Sequence, residues 1–167
     1  MPKRPSPPRD LTLGFREAIG WHRASKGNGA LTPMCLYENG PACWLHHLDP
    51  LGRPCAGELE AFHFLGRQRV RHALEALGFG AELVVLAEWD PRNAGPACTE
   101  HHRRFDCHAT PALRIPVQAL PLQTLGFILN WGLEIDAERK FDGDLDGVIE
   151  ARIDQLEKHW GYQGAGV

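Results

Sequence analysis

The run Cys98-Thr99-Glu100-His101-His102 limits what this chain can fold into more than any other feature it has. A Cys and a His with two residues between them, where a turn enters a helix, commonly hold half of a tetrahedral metal site. The other half has to come from a distant part of the chain. Cys43 and Cys55 offer it, with Cys35 competing for the place of Cys43 and Cys107 as the likeliest spare. Three thiolates and one imidazole are a soft donor set that suits zinc better than harder cations. Using Cys43, Cys55, Cys98 and His101 together forces the chain to fold back on itself. Segment 34–58 agrees: it is rich in Gly, Pro, Cys and His and shows no lasting helical or strand period, so metal ligation is an economical anchor for it.

Bulk properties narrow the setting. A chain of 167 residues suits one domain with a modest core and helical additions. No apolar run approaches the roughly 20 residues needed to span a bilayer, and no apolar signal segment follows the basic, Pro-rich start Met1–Arg9. The address expected is therefore intracellular, where cysteines are reduced or metal-bound. Five cysteines, an odd number, also argue against a disulfide framework. The formal charge of −3 disfavours a protein that coats nucleic acid. Its distribution is uneven: basic residues gather at Lys3 to Arg9, Arg67 to Arg71 and Arg103-Arg104, while acids concentrate from Glu134 to Glu157.

The pattern along the chain predicts a disordered basic arm over residues 1–12 and a zinc-stabilised domain over 13–115. A C-terminal helical extension over 116–167 follows. Within these, a helix is expected over Leu13–Ser25, a strand over Glu58–Leu65 and a helix over Arg67–Leu77 with Gly78 as its stop. Leu83–Ala87 reads as a strand or a buried turn. Two prolines extend Pro91 to Ala97, and a helix starts near Thr99, whose hydroxyl can cap it. Val117–Trp131 and Leu145–Trp160 read as further helices.

Some polar residues remain outside the zinc set. His63, at a strand end, has a side chain whose ordinary pKa suits a general base near neutral pH. Asn93 can either pin the loop after that strand or orient the base through a hydrogen bond. His102 and Asp106 are four apart and share a helix face, where they can hold one divalent ion together. Singly, each has a plainer reading: a satisfied polar residue, a turn, a helix-surface pair. Jointly, beside a zinc clamp, they point to phosphodiester hydrolysis, which needs a base and a divalent ion.

These residues resemble the HNH, or His-Me finger, endonucleases, especially small phage-type members. The resemblance covers about residues 43 to 115. It rests on Cys43-Trp44, Cys55-Ala56-Gly57-x-Leu-Glu-Ala-x-His63, Arg67-Gln68-Arg69, Asp90-Pro91-Arg92-Asn93 and Cys98-x-x-His101-His102 through Phe105-Asp106. It implies an α+β fold with a ββα-metal core, a structural zinc and flanking helices. By the same resemblance His63 is the general base, Asn93 the middle residue and His102 a ligand of a catalytic Mg2+ or Mn2+. Either Asp106 completes that site with His102, or the ion binds weakly, or the domain is inactive, and Arg67, Arg69 and Arg71 can contact phosphates of DNA. A host-cell cytoplasm during phage infection is the implied setting. The alternative is a non-catalytic, zinc-stabilised module on the same fold that binds DNA or protein. One departure stands out: Phe62 occupies the position before the base where many family members carry a metal-ligating Asp or His. Restoring a carboxylate as Phe62→Asp is expected to tighten the metal unless Phe62 is a core residue.

Overall fold

Alternation in Leu59-Glu60-Ala61-Phe62-His63 makes this stretch a half-buried strand, and in the computed structural model it is β1 (Leu59–His63). Its antiparallel partner is β2 (Ala94–Cys98), in a register that sets Leu59 against Cys98 and His63 against Ala94. The described residues are 43–57, 59–106 and 113–160; the side chains of Leu59, Asp106, His159 and Trp160 also lie outside the description. The expected basic arm, the helix over Leu13–Ser25, Cys35 and Cys107 fall outside it as well.

Thirty residues, 64–93, separate the two strands. They form a helical hairpin, α1 (Arg67–Ala76) and α2 (Ala81–Glu88), and then a 3-10 turn, Pro91–Asn93. The stretch Leu83–Ala87, expected as a strand or turn, is thus helical. It buries Val84, Ala87 and Glu88, a spacing of three to four that only a helix places on one side. Directly after β2 comes α3 (Thr99–Asp106), where the sequence pattern places a helix. The described residues then continue through a 3-10 turn, Val117–Ala119, and the helices α4 (Leu122–Trp131), α5 (Glu134–Lys140) and α6 (Leu145–Trp160). Val117–Trp131 was expected as one helix. Pro121 divides it, because proline lacks the amide that a helix interior needs. The short α5 carries too few turns to show a clear period in the sequence. Among the described residues the fold is α+β, with one two-stranded antiparallel sheet and six α-helices.

The buried apolar residues form one cluster that runs from Cys43 and Leu45, through Phe62, Phe64, Val70 and Phe105, to Leu125, Phe127 and Leu156. Phe62 is fully buried, with its ring against those of Trp44, Phe64 and Phe105. It is a core residue. A carboxylate there would be an unpaired buried charge, so Phe62→Asp would unsettle the hairpin instead of tightening a metal. Phe62 also explains Gly95, its partner in register: a Cβ at Gly95 would lie 2.9 Å from the Phe62 ring. Among the described residues no helix is long and apolar enough to cross a membrane.

Candidate metal centre

Three separate pieces of chain deliver the four soft ligands. Cys43 precedes the 3-10 turn Trp44–Leu48, Cys55 lies in the loop leading to β1, and Cys98 and His101 bracket the junction of β2 with α3. Their ligand atoms all lie within 4.8 Å of one another. The Nδ1 of His101 is 3.0 Å from the Sγ of Cys98, 3.6 Å from that of Cys43 and 3.7 Å from that of Cys55. A tetrahedral zinc with ligands at about 2.0–2.3 Å has ligand–ligand edges of roughly 3.5–3.8 Å, so the cluster has zinc dimensions. None of the three cysteines is in a disulfide. Cys43, Cys55, Cys98 and His101 therefore form a cluster able to hold a metal such as zinc, which brings the closely spaced Cys98 and His101 together with two of the upstream cysteines.

Local backbone builds this geometry. The amide of His101 donates to the Cys98 sulfur at 3.5 Å, and the amide of Cys98 donates to the Cys43 sulfur at 3.2 Å. The Cys55 loop docks on the start of α3, where the carbonyl of Ala56 accepts from the amide of Glu100. That docking requires Gly57, which has φ +80° and where a Cβ would lie 2.7 Å from the Cβ of Thr99.

The thiols' proton affinities show why the cluster calls for a cation. Burial alone would raise Cys98, but hydrogen bonds to its sulfur from the backbone of His101 and Ala56 and from the Cys43 and Cys55 side chains together lower its pKa. Burial pushes Cys43 up to about 11, and a negative Cys98 alongside adds to the rise. Burial likewise lowers the pKa of His101, keeping its ring neutral. With the Cys43 thiol held up by burial, ionising the sulfurs together needs a positive charge among them. A divalent metal ion provides it.

One contributor was not visible in the sequence. Asp49 is buried, with its Oδ2 3.4 Å from the Nε2 of His101, on the far side of the ring from the sulfurs. Arg53 donates to it at 2.6 and 2.9 Å, and the amide of Leu51 donates at 3.0 Å. These bonds, those from Arg53 above all, bring its pKa down to about 2. Asp49 is placed to favour the tautomer in which Nε2 carries the proton and Nδ1 offers its lone pair to a metal. Asp49→Asn is expected to weaken zinc binding by about 10–100-fold, read as faster transfer of zinc to a chromogenic chelator. Transfer at the wild-type rate would deny Asp49 this role. Because a lowered carboxylate pKa contributes stability above about 3.8 and loses it only as pH falls through about 2, Asp49 stays charged on mild acidification. Zinc released there reports protonation of the ligands themselves, not of Asp49.

Asn93, fully buried, ties the exit of β1 to the start of β2. Its side chain accepts from the amide of Leu65 at 2.9 Å and donates to the carbonyl of Leu65 at 2.7 Å. Its own carbonyl accepts from the amide of Phe64 at 3.0 Å. Of the two roles the sequence left open for Asn93, its side chain performs the pinning of the loop. His63, half-buried, is the last residue of β1 and immediately precedes this clasp. Removing the side chain in Asn93→Ala leaves both backbone groups of Leu65 unpaired. It should cost about 2–4 kcal/mol of stability, measured by denaturant unfolding of the zinc-loaded protein; a loss below about 0.5 kcal/mol would contradict the clasp.

On the first turn of α3, the Nδ1 of His102 lies 2.6 Å from the Oε2 of Glu60 on β1. Sequence reasoning did not single out Glu60; its place two residues before Phe62 on an alternating strand was the available signal. Asp106 ends α3, one turn beyond His102, and its side chain lies outside the described residues. The three arginines assigned to DNA have intramolecular neighbours. The guanidinium of Arg67 lies over the Trp89 ring, 4.6 Å from its centroid. Arg69 reaches the carbonyl of Asp136 at 3.4 Å, and Arg71 pairs with the buried Glu88 at 3.1 Å.

No family profile matches the chain, and neither the curated proteins nor the solved structures show a significant similarity to it.

Proposed function

We propose that the chain is a metal-dependent endonuclease of the HNH, or His-Me finger, type, built on a ββα core with a structural zinc, and that it hydrolyses phosphodiester bonds of DNA. The observation that carries this reading is the Asn93 clasp. It secures the strand end that bears His63 to the start of β2, and a Cys3His cluster ties the end of β2 to the helix that bears His102. Two histidines from distant parts of the chain thereby stand on elements that are tied together.

In this reading His63 takes a proton from a water molecule as the water oxygen bonds to phosphorus. The bond from phosphorus to the departing sugar oxygen breaks, and solvent protonates that oxygen. His102 and Asp106 would hold the divalent ion. The chemistry that a bound Mg2+ or Mn2+ supplies is neutralisation of charge on the phosphate and the leaving oxygen. Of the arginines, Arg67 and Arg69 are the exposed ones and the better placed to meet a phosphate.

The second reading, a non-catalytic zinc-stabilised module that binds DNA or protein, is favoured by two observations. Phe62 belongs to the core where a ligand would otherwise stand, and the charge of Arg71 is matched internally by Glu88. Supercoiled plasmid incubated with the zinc-loaded protein and added Mg2+ or Mn2+ separates the two. Nicking that a chelator abolishes supports the enzyme, and plasmid that stays supercoiled under both metals rejects it.

A further inference from the structure

We infer that Glu60 is a positioning residue for His102: it holds the imidazole so that Nε2 is the atom offered to a divalent ion, and it restores the acidic group that β1 lacks at Phe62. This rests on the nuclease reading, in which His102 is a metal ligand.

Glu60 and Phe62 are two apart on β1 and so belong to the same face of the strand. The Phe62 ring packs against that of Phe105 on α3, and Glu60 meets α3 one turn earlier, at Thr99 and His102. Each oxygen of Glu60 has its own partner: Oε1 accepts from the hydroxyl of Thr99 at 2.9 Å, and Oε2 lies 2.6 Å from the Nδ1 of His102. Thr99 and His102 are three apart on a helix, so two points on one side of α3 grip the carboxylate.

A carboxylate oxygen and a ring nitrogen at hydrogen-bond distance need a proton between them, which fixes Nδ1 as the donor. The lone pair of a neutral ring is then on Nε2. A carboxylate on the far nitrogen of a ligating histidine fixes the ring's orientation and raises the basicity of the ligating atom. The Glu60 and His102 side chains are 40% and 21% exposed. A pair this open to solvent contributes little to folding, so removing its charge separates metal affinity from stability. Its geometry suits tuning a ligand better than holding the hairpin on α3, which the buried zinc cluster and Phe62 already do.

The test is calorimetric titration of Mn2+ into the full-length, zinc-loaded chain, comparing wild type with Glu60→Gln, Glu60→Asp and His102→Ala. Glu60→Gln should weaken Mn2+ binding about 10–100-fold, with zinc content and thermal midpoint unchanged and part of the affinity restored in Glu60→Asp. Mn2+ affinity unaltered in Glu60→Gln but lost in His102→Ala would overturn the role of Glu60 and leave His102 as the ligand. Loss of zinc or of the folding transition in Glu60→Gln would also overturn it, by making the carboxylate structural. Wild-type affinity in His102→Ala, or no Mn2+ binding by the wild type, would remove the His102 site itself and this inference with it.

Discussion

Cys98→Ser is expected to purify without stoichiometric zinc and to lose the cooperative unfolding transition of the wild type. Cys98 has the most connected position in the cluster. Its sulfur lies 3.0 Å from the Nδ1 of His101 and accepts the His101 amide, and its own amide donates to the Cys43 sulfur. It also ends β2, opposite Leu59 in the strand register, so one residue joins the sheet, the start of α3 and the Cys3His cluster. A structural zinc is worth about 10–16 kcal/mol in small peptides, as much as or more than the 5–15 kcal/mol by which a typical domain is stable. The segment carrying Cys43 and Cys55 depends on it most. Its regular structure is a single 3-10 turn, and of the residues in that turn only Leu45 is buried. Metal analysis and circular-dichroism melting of both proteins check this. A wild type that is metal-free yet melts cooperatively would show that apolar burial alone suffices. Cys107→Ser, which changes the expected spare cysteine, should leave zinc content and melting intact.

His63→Ala should retain zinc and the wild-type melting temperature while plasmid nicking falls by about 10²–10⁴-fold, the usual worth of a positioned general base. Stability should survive because His63 is a half-buried strand-end residue, whereas the clasp next to it is made by Asn93 and the backbone of Phe64 and Leu65. The substitution therefore removes the proposed chemistry and leaves the frame. The contrast with Asn93→Ala is informative, since that change should lower stability and nicking together. Nicking by His63→Ala at the wild-type rate would place the base elsewhere. The two substitutions with the largest expected effects thus separate the zinc that builds the unit from the histidine that would use it.

What the sequence determined by itself is local or set by chemical type. Helical spacing in Arg67–Ala76 and Leu145–Trp160, alternation in Leu59–His63 and the turn into α3 at Thr99 were all legible, because periods of 3.6 and 2 arise from backbone geometry that needs no distant partner. The candidate zinc set was legible for a different reason: few side chains ligate a soft metal, so residue type together with the Cys98–His101 spacing nominated Cys43, Cys55, Cys98 and His101, with Cys35 as a rival to Cys43. Context decided the short apolar run Leu83–Ala87. Burial of Val84, Ala87 and Glu88, with Glu88 meeting Arg71, makes it helical where the letters alone fit a strand equally well. Only the tertiary structure decided that Phe62 belongs to the core, that Asp49 stands behind His101 and that Glu60 meets His102. Each of these depends on side chains brought together from separate parts of the chain, and an interaction across 42 or 52 residues leaves no periodic mark between its ends. The candidate metal ligands declared themselves through their chemistry, whereas Asp49 and Glu60, ordinary acids in the sequence, stand out only where folding placed them against a ring nitrogen.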